Sequence, residues 1–145
     1  MEGIGATSGA ASARSLRGTV FLTTGDIEHA DTDLTRAVEQ LPIGGDPLLH
    51  CYAYTRLADV RLSQNQLDEA QDLARHGIDY AHEHSALFSE VDALEVLGKL
   101  HRAQGDVDSA RANWSRALEI ADYLGSNAAT EAERIQQQLD ELPNP

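Results

Sequence analysis

The sequence predicts an all-α fold: an α-solenoid of three helix-turn-helix repeats closed by a C-terminal capping helix. Three observations predict it. Residues 11–50, 51–90 and 91–130 align without a gap, so the chain repeats itself with a period of 40 residues. Alanine recurs at Ala30, Ala70 and Ala110, following the apolar-acidic pairs Ile27-Glu28, Leu67-Asp68 and Val107-Asp108. Each block also carries two apolar stripes at helical spacing, parted by a short turn.

The elements follow in order along the 145 residues, a length suited to one ordinary domain. Residues 1–11, rich in Gly, Ala and Ser, are expected to form a flexible tail. The repeats occupy about 12–42, 47–84 and 85–125. In the first, Leu16, Val20 and Phe21 lie on helix A and Ala30, Leu34 and Val38 on helix B. Gly25, Asn65 and Gly105 suit the left-handed residue that ends each helix A, and Asp26 and Asp106 are good N-caps for helix B. Between repeats, Pro42-Ile43-Gly44-Gly45-Asp46-Pro47 breaks the chain, with Asp46 as the next cap and Pro47 in the first helical position. The second boundary lacks Pro and Gly, which leaves Ser85 as the expected cap. In the third repeat Leu87, Val91, Leu94 and Leu97 face Val107, Ala110, Trp114, Ala117 and Ala121. A capping helix over 126–142 places Ala128, Ala132, Ile135 and Leu139 on one side to cover the last repeat, and 143–145 form a tail.

These positions resemble the tetratricopeptide repeat (TPR). The third block carries the resemblance best, with Leu97-Gly98, His101 where Tyr is usual, Gly105, Ala110, Trp114 and Ala117. The second has Leu57-Ala58, Arg61, Asn65, Ala70, Ala74 and Gly77; the first has Gly18, Phe21, Gly25, Ala30, Leu34, Ala37 and Pro42. The resemblance covers about residues 12–125 and implies a TPR-like right-handed α-solenoid. Forty residues exceed the usual 34, a length HEAT repeats also reach, but the Gly-Asp turn and the paired small positions favour TPR. The wording of residues 97–106 and 116–125 is similar to the C-terminal TPR arrays of large actinobacterial transcriptional regulators, the SARP type included. Those arrays act as sensor or interaction regions. No phosphate-binding Gly-x-x-x-x-Gly-Lys loop and no basic recognition helix accompanies the repeats in this sequence.

Charge narrows the function classes. Eleven Lys and Arg stand against 24 Asp and Glu, a net charge of -13 that disfavours nucleic acid and anionic lipid as partners of this segment. The acid is concentrated on the B helices and the capping helix, so the A helices are close to neutral. Cys51 is the only cysteine, which excludes an intrachain disulfide and a multi-thiolate zinc site. No apolar run approaches the roughly 20 residues needed to span a bilayer, and the N-terminus lacks the apolar core of a secretion signal. A soluble, cytoplasmic protein with no membrane partner is expected.

No set of residues converges on catalysis, so no catalytic residue and no cofactor is expected. His76, Asp79 and His82 share a helical face, but isolated surface histidines are the simpler reading and no metal site is assigned. Cys51 reads as a packed thiol, and His101 occupies an aromatic packing position. The TPR resemblance implies a concave groove lined by the A helices. Carried over by the repeat alignment, its residues are Thr19, Thr23, Tyr52, Thr55, Asp59, Ser63, Asp92, Glu95, Lys99 and Arg102. The stripe of Asp92, Glu95, Lys99 and Arg102 reads either as a neutralised solvent face or as ligand contacts. Ser, Thr and Asp stand where chaperone-binding TPRs carry a Lys/Asn carboxylate clamp, which disfavours that ligand. Leu16, Val20 and Phe21 lie on the first helix A with only a Gly/Ala/Ser stretch before it in this sequence; either an upstream repeat or self-association would cover them. The expected function is a non-catalytic interaction module that binds a protein or peptide segment in its concave groove, with a homodimer through the first repeat as one option. The alternative is a ligand- or peptide-sensing domain of a transcriptional regulator.

Overall fold

Left-handed residues and acidic caps divide the chain into helices. A computed structural model describes residues 4–144. It contains α1 (Ile4–Thr24), α2 (Ile27–Glu39), α3 (Pro47–Ser63), α4 (Leu67–Glu83), α5 (Leu87–Ala103), α6 (Val107–Leu124) and α7 (Ala129–Asp140). A single 3-10 turn, Gly125–Ala128, joins the last two. Helices α1 and α2, α3 and α4, and α5 and α6 pack as successive hairpins, and α7 packs on α6.

The turns inside the hairpins rest on Gly25, Asn65 and Gly105, with φ of 86°, 58° and 79°. The Asp26 and Asp106 carboxylates accept the N–H groups of His29 and Ser109 at 3.2 and 3.1 Å, satisfying donors that a helix start otherwise leaves bare. Asp46 does the same for Leu48 at 3.0 Å, with Pro47 in the first turn. Pro42 also explains why α2, at 13 residues, is shorter than α4 at 17: the ring cannot continue a helix and restricts the residue before it.

Two boundaries differ from the sequence expectation. Ser85 is not the N-cap of α5; it takes the left-handed conformation itself, with φ of 54°, and Ala86 is the cap, without a side-chain bond. The link is too short for anything but a left-handed corner, which Gly125 supplies one period later at φ 68°. The expected tail 1–11 is helical from Ile4, in keeping with the high helix propensity of its alanines, and Ala11 is buried. Residues 1–3 and 145, the ends of the two expected tails, lie outside the described residues.

Small residues let each helix pair close. A Cβ on Gly18 would stand 2.7 Å from Leu34 Cγ, and one on Gly98 would overlap the indole of Trp114. The equivalent residues of the second repeat, Ala58 and Ala74, are both alanines buried in one cluster. A large residue on helix B is thus met by glycine on helix A, and a small one by alanine. The fully buried Trp114 donates Nε1–H to the Glu95 carbonyl at 3.0 Å, so its polar end is satisfied inside the core. Ile135 and Leu142 cover this last cluster from the C-terminal side.

Candidate functional site

Hydrogen bonds and ion pairs run from α1 to α7 along the A helices. Tyr52 on α3 donates its hydroxyl to Thr19 Oγ1 on α1 at 2.8 Å. The Arg56 guanidinium stands over the Tyr52 ring, 5.6 Å from its centre, pairs with Asp92 of α5, and lies 3.4 Å from Asp59. One turn beyond Asp92, Glu95 accepts from Arg134 of α7 at 2.6 and 2.7 Å and from Gln138 at 3.2 Å. Lys99 Nζ lies 3.9 Å from the same carboxylate.

This stretch neutralises itself. Arg56, Lys99 and Arg134 balance Asp59, Asp92 and Glu95 around one depression. Burial would raise the Glu95 carboxyl, but the hydrogen bond from Arg134 and the charges of Lys99 and Arg134 outweigh it and hold it below the usual range. At Asp59 burial wins over Arg56 and Lys99, and the carboxyl is pushed up.

Beside the charged depression α1, α3, α5 and α7 enclose a cavity of about 530 Å³. Leu16, Leu48, Leu49 and Phe88 form apolar walls, Tyr52, Arg56 and Asp92 lie deeper, and Asp46 and Glu131 also border it. Leu48 and Phe88 occupy equivalent positions one period apart, in the first turns of α3 and α5.

The residues expected in the groove separate into three groups. Thr19, Tyr52, Asp59, Asp92 and Lys99 take part in the polar chain. Thr23 and Ser63 are exposed near the C-terminal ends of α1 and α3, and the Arg102 guanidinium rests over the Trp114 ring, 5.3 Å from its centre. Thr55 and Glu95 are corrections. Thr55 is buried at the junction of α3, α4 and α5, because Gly77 leaves room for its side chain between Cys51 and Ala93. Glu95 is only 2% exposed, because α7 lays Arg134 and Gln138 over it. Arg56, Arg134, Leu48 and Phe88 were not anticipated, although the paired apolar residues at 48 and 88 were visible in the repeat alignment. Among the self-association candidates, Leu16 and Val20 are 60% and 61% exposed, whereas Phe21 is half-buried and stacks on His29 at 5.1 Å.

Histidines gather elsewhere. His50 and His76 bring their Nε2 atoms to 2.8 Å, and with Tyr54, Tyr80 and His84 they form a run of contacting rings between α3 and α4. Burial, followed by the charges of His76 and His84, lowers the His50 pKa to about 4. Burial also raises the Cys51 thiol to about 11, which makes it a poor nucleophile. No group of three or more metal-ligating side chains is found among the described residues.

Stacked helical hairpins with a small residue at each close crossing define a helical repeat protein. A profile of the tetratricopeptide repeat-like domain matches residues 1–144, and the chain belongs to that family. No curated protein matches the sequence. No helix among the described residues is long and apolar enough to cross a membrane.

Proposed function

We propose that the chain is a non-catalytic interaction module that binds a protein or peptide segment along the face built by α1, α3 and α5. The observation that carries this reading is the cavity of about 530 Å³ on that face, walled by apolar side chains that the fold itself leaves uncovered. A polar chain from Thr19 to Arg134 holds the surrounding helices in place, so the binding face is organised before a partner arrives. The raised pKa makes the Cys51 thiol a poor nucleophile, and His50, His76 and His84 are stacked in the ring cluster between α3 and α4. The net charge of -13 supports a protein partner over nucleic acid. Leu16 and Val20, side by side on α1, are the residues through which a second copy would associate.

Capture of partners from the native cell extract tests the reading. A specific partner retained by the wild-type protein and lost with Tyr52→Ala combined with Lys99→Glu supports it; equal retention by that variant removes the groove from consideration. Light scattering tests self-association, which a strict monomer at high concentration would refute.

The cavity volume also lies in the range of small-molecule sites, roughly 300–1,000 Å³, which favours a second reading as the sensing domain of a transcriptional regulator. A saturable thermal shift with one metabolite, and none with peptides, would favour the sensor.

A further inference from the structure

We propose that the cavity between α1, α3, α5 and α7 seats a basic amphipathic segment of a partner protein, its bulky apolar side chains entering it and a Lys or Arg meeting Asp46 and Glu131. This rests on the reading that the face binds a peptide, and adds the chemistry of what it takes.

The apolar half follows from exposure. Leu16, Leu48 and Phe88 are 60%, 57% and 44% exposed, and all three border this one cavity. Large apolar side chains scattered singly over a surface are ordinary; several brought to one concavity mark a binding site. Leu49 and the Tyr52 ring extend the same walls.

The basic half follows from which charges are already taken. Arg56 is held by Asp92 and Asp59, and Arg134 by Glu95. Among the described residues, Asp46 and Glu131 border the cavity without an ion pair; Asp46 spends one oxygen on the Leu48 N–H. An acidic ligand would find only the outer edge of Arg134, whose Nε and Nη2 are already spent on Glu95, and would lie against Asp46 and Glu131. A cationic one needs no such rupture, and the net charge of -13 steers it inward. A second copy is disfavoured as the occupant of this cavity alone, because it offers 11 Lys and Arg against 24 Asp and Glu to a rim that already carries Asp46 and Glu131.

Fluorescence anisotropy with a panel of labelled 12-residue peptides tests this. The panel places Leu and Phe at helical spacing among Lys residues; one twin set replaces Lys by Glu, another replaces Leu and Phe by Ser. A Lys/Leu/Phe peptide is expected to bind saturably, at least ten-fold tighter than either twin. Leu48→Ser with Phe88→Ser leaves the net charge untouched and is expected to weaken binding at least ten-fold. Asp46→Asn with Glu131→Gln, in which Asn still caps α3, is expected to weaken it and flatten its salt dependence. Thermal melts followed by circular dichroism establish that the variants fold.

Equal binding of the serine twin, or by the Leu48/Phe88 variant, would overturn the proposal by reducing it to attraction toward an acidic surface. Absence of saturable binding across the Lys/Leu/Phe panel would overturn it as well. Preferential binding of the glutamate twin, weakened by Lys99→Glu, would overturn the basic chemistry while leaving the groove reading intact. Partner capture indifferent to Tyr52→Ala with Lys99→Glu would remove both.

Discussion

Arg134 of α7 grips Glu95 of α5 through two parallel hydrogen bonds of 2.6 and 2.7 Å, which ties the closing helix to the third repeat thirty-nine residues earlier in the chain. The carboxylate is buried while the guanidinium is about half exposed, so each partner loses differently when the other is removed. Arg134→Ala leaves a buried anion with only Gln138 and Lys99 at 3.9 Å, and is expected to lower stability by about 2 kcal/mol. Glu95→Gln in that background is expected to recover part of the loss, because an amide needs no counter-charge. Urea unfolding of the wild type and the two variants checks this; a double variant no more stable than Arg134→Ala would show that the pair is not the cause.

The same carboxylate sets an acid dependence. Its folded pKa lies below the ordinary value of 4.5, so its contribution is present above that pH and is lost as the pH falls toward the folded value. Below about pH 4.5 the wild-type protein is expected to lose stability faster than Glu95→Gln. Parallel curves for the two proteins in thermal melts from pH 5 to 3 would refute it.

Gly98 and Trp114 form the tightest crossing of helix A on helix B. A methyl group on Gly98 would occupy space held by the indole, so Gly98→Ala is expected to cost about 3 kcal/mol. Trp114→Ala alone opens a cavity and is expected to cost about 4 kcal/mol. Combining them reproduces the Ala58 and Ala74 pair of the second repeat, and the combined loss is expected to fall short of the two single losses added together. A double-mutant cycle by chemical denaturation measures the coupling, and strict additivity would contradict it.

Local chemistry made much of this fold legible. Gly25, Asn65 and Gly105 announced their turns, and Asp26, Asp46 and Asp106 their caps, because each acts on neighbours within a few residues. Ser85 hid its turn because serine seldom takes a positive φ, and α1 hid its first two turns because a Gly/Ala/Ser composition reads as a tail. The site was harder, since it depends on pairs distant in sequence. Thr55 turned inward because of a glycine at 77, and Glu95 was covered by a helix whose docking the apolar pattern predicted but whose arginine it did not.

Cys51 offers a probe of local opening. Burial lifts its thiol to about 11, so only about one part in a thousand is thiolate at pH 8. The native protein is expected to leave a disulfide reagent such as DTNB unconsumed over minutes, and the protein in urea to consume one equivalent at once. Rapid stoichiometric labelling without denaturant would mean that the start of α3 opens readily.

His50 gives stability a second dependence on pH, of the same sign as that of Glu95 but in a higher window. Its folded pKa of about 4 lies below the ordinary value near 6.5, because burial between α3 and α4, with His76 and His84 nearby, disfavours the charged ring. The unfolded chain therefore binds the proton first as the pH falls. Stability is complete above about pH 6.5 and drains away between there and pH 4. Since the ring is partly exposed, solvent screens the effect to about 1–2 kcal/mol. His50→Phe preserves an aromatic ring against Tyr80, which lies 3.7 Å from the imidazole centre, and removes the titrating group. The variant gives up the bond to His76 and is expected to be less stable at pH 7.5, yet to lose less than the wild type between pH 6.5 and 4.5. The difference between the two urea-unfolding profiles across that interval isolates the histidine, because the acidic residues are common to both proteins. A constant difference would show that His50 protonates alike in the folded and unfolded chain.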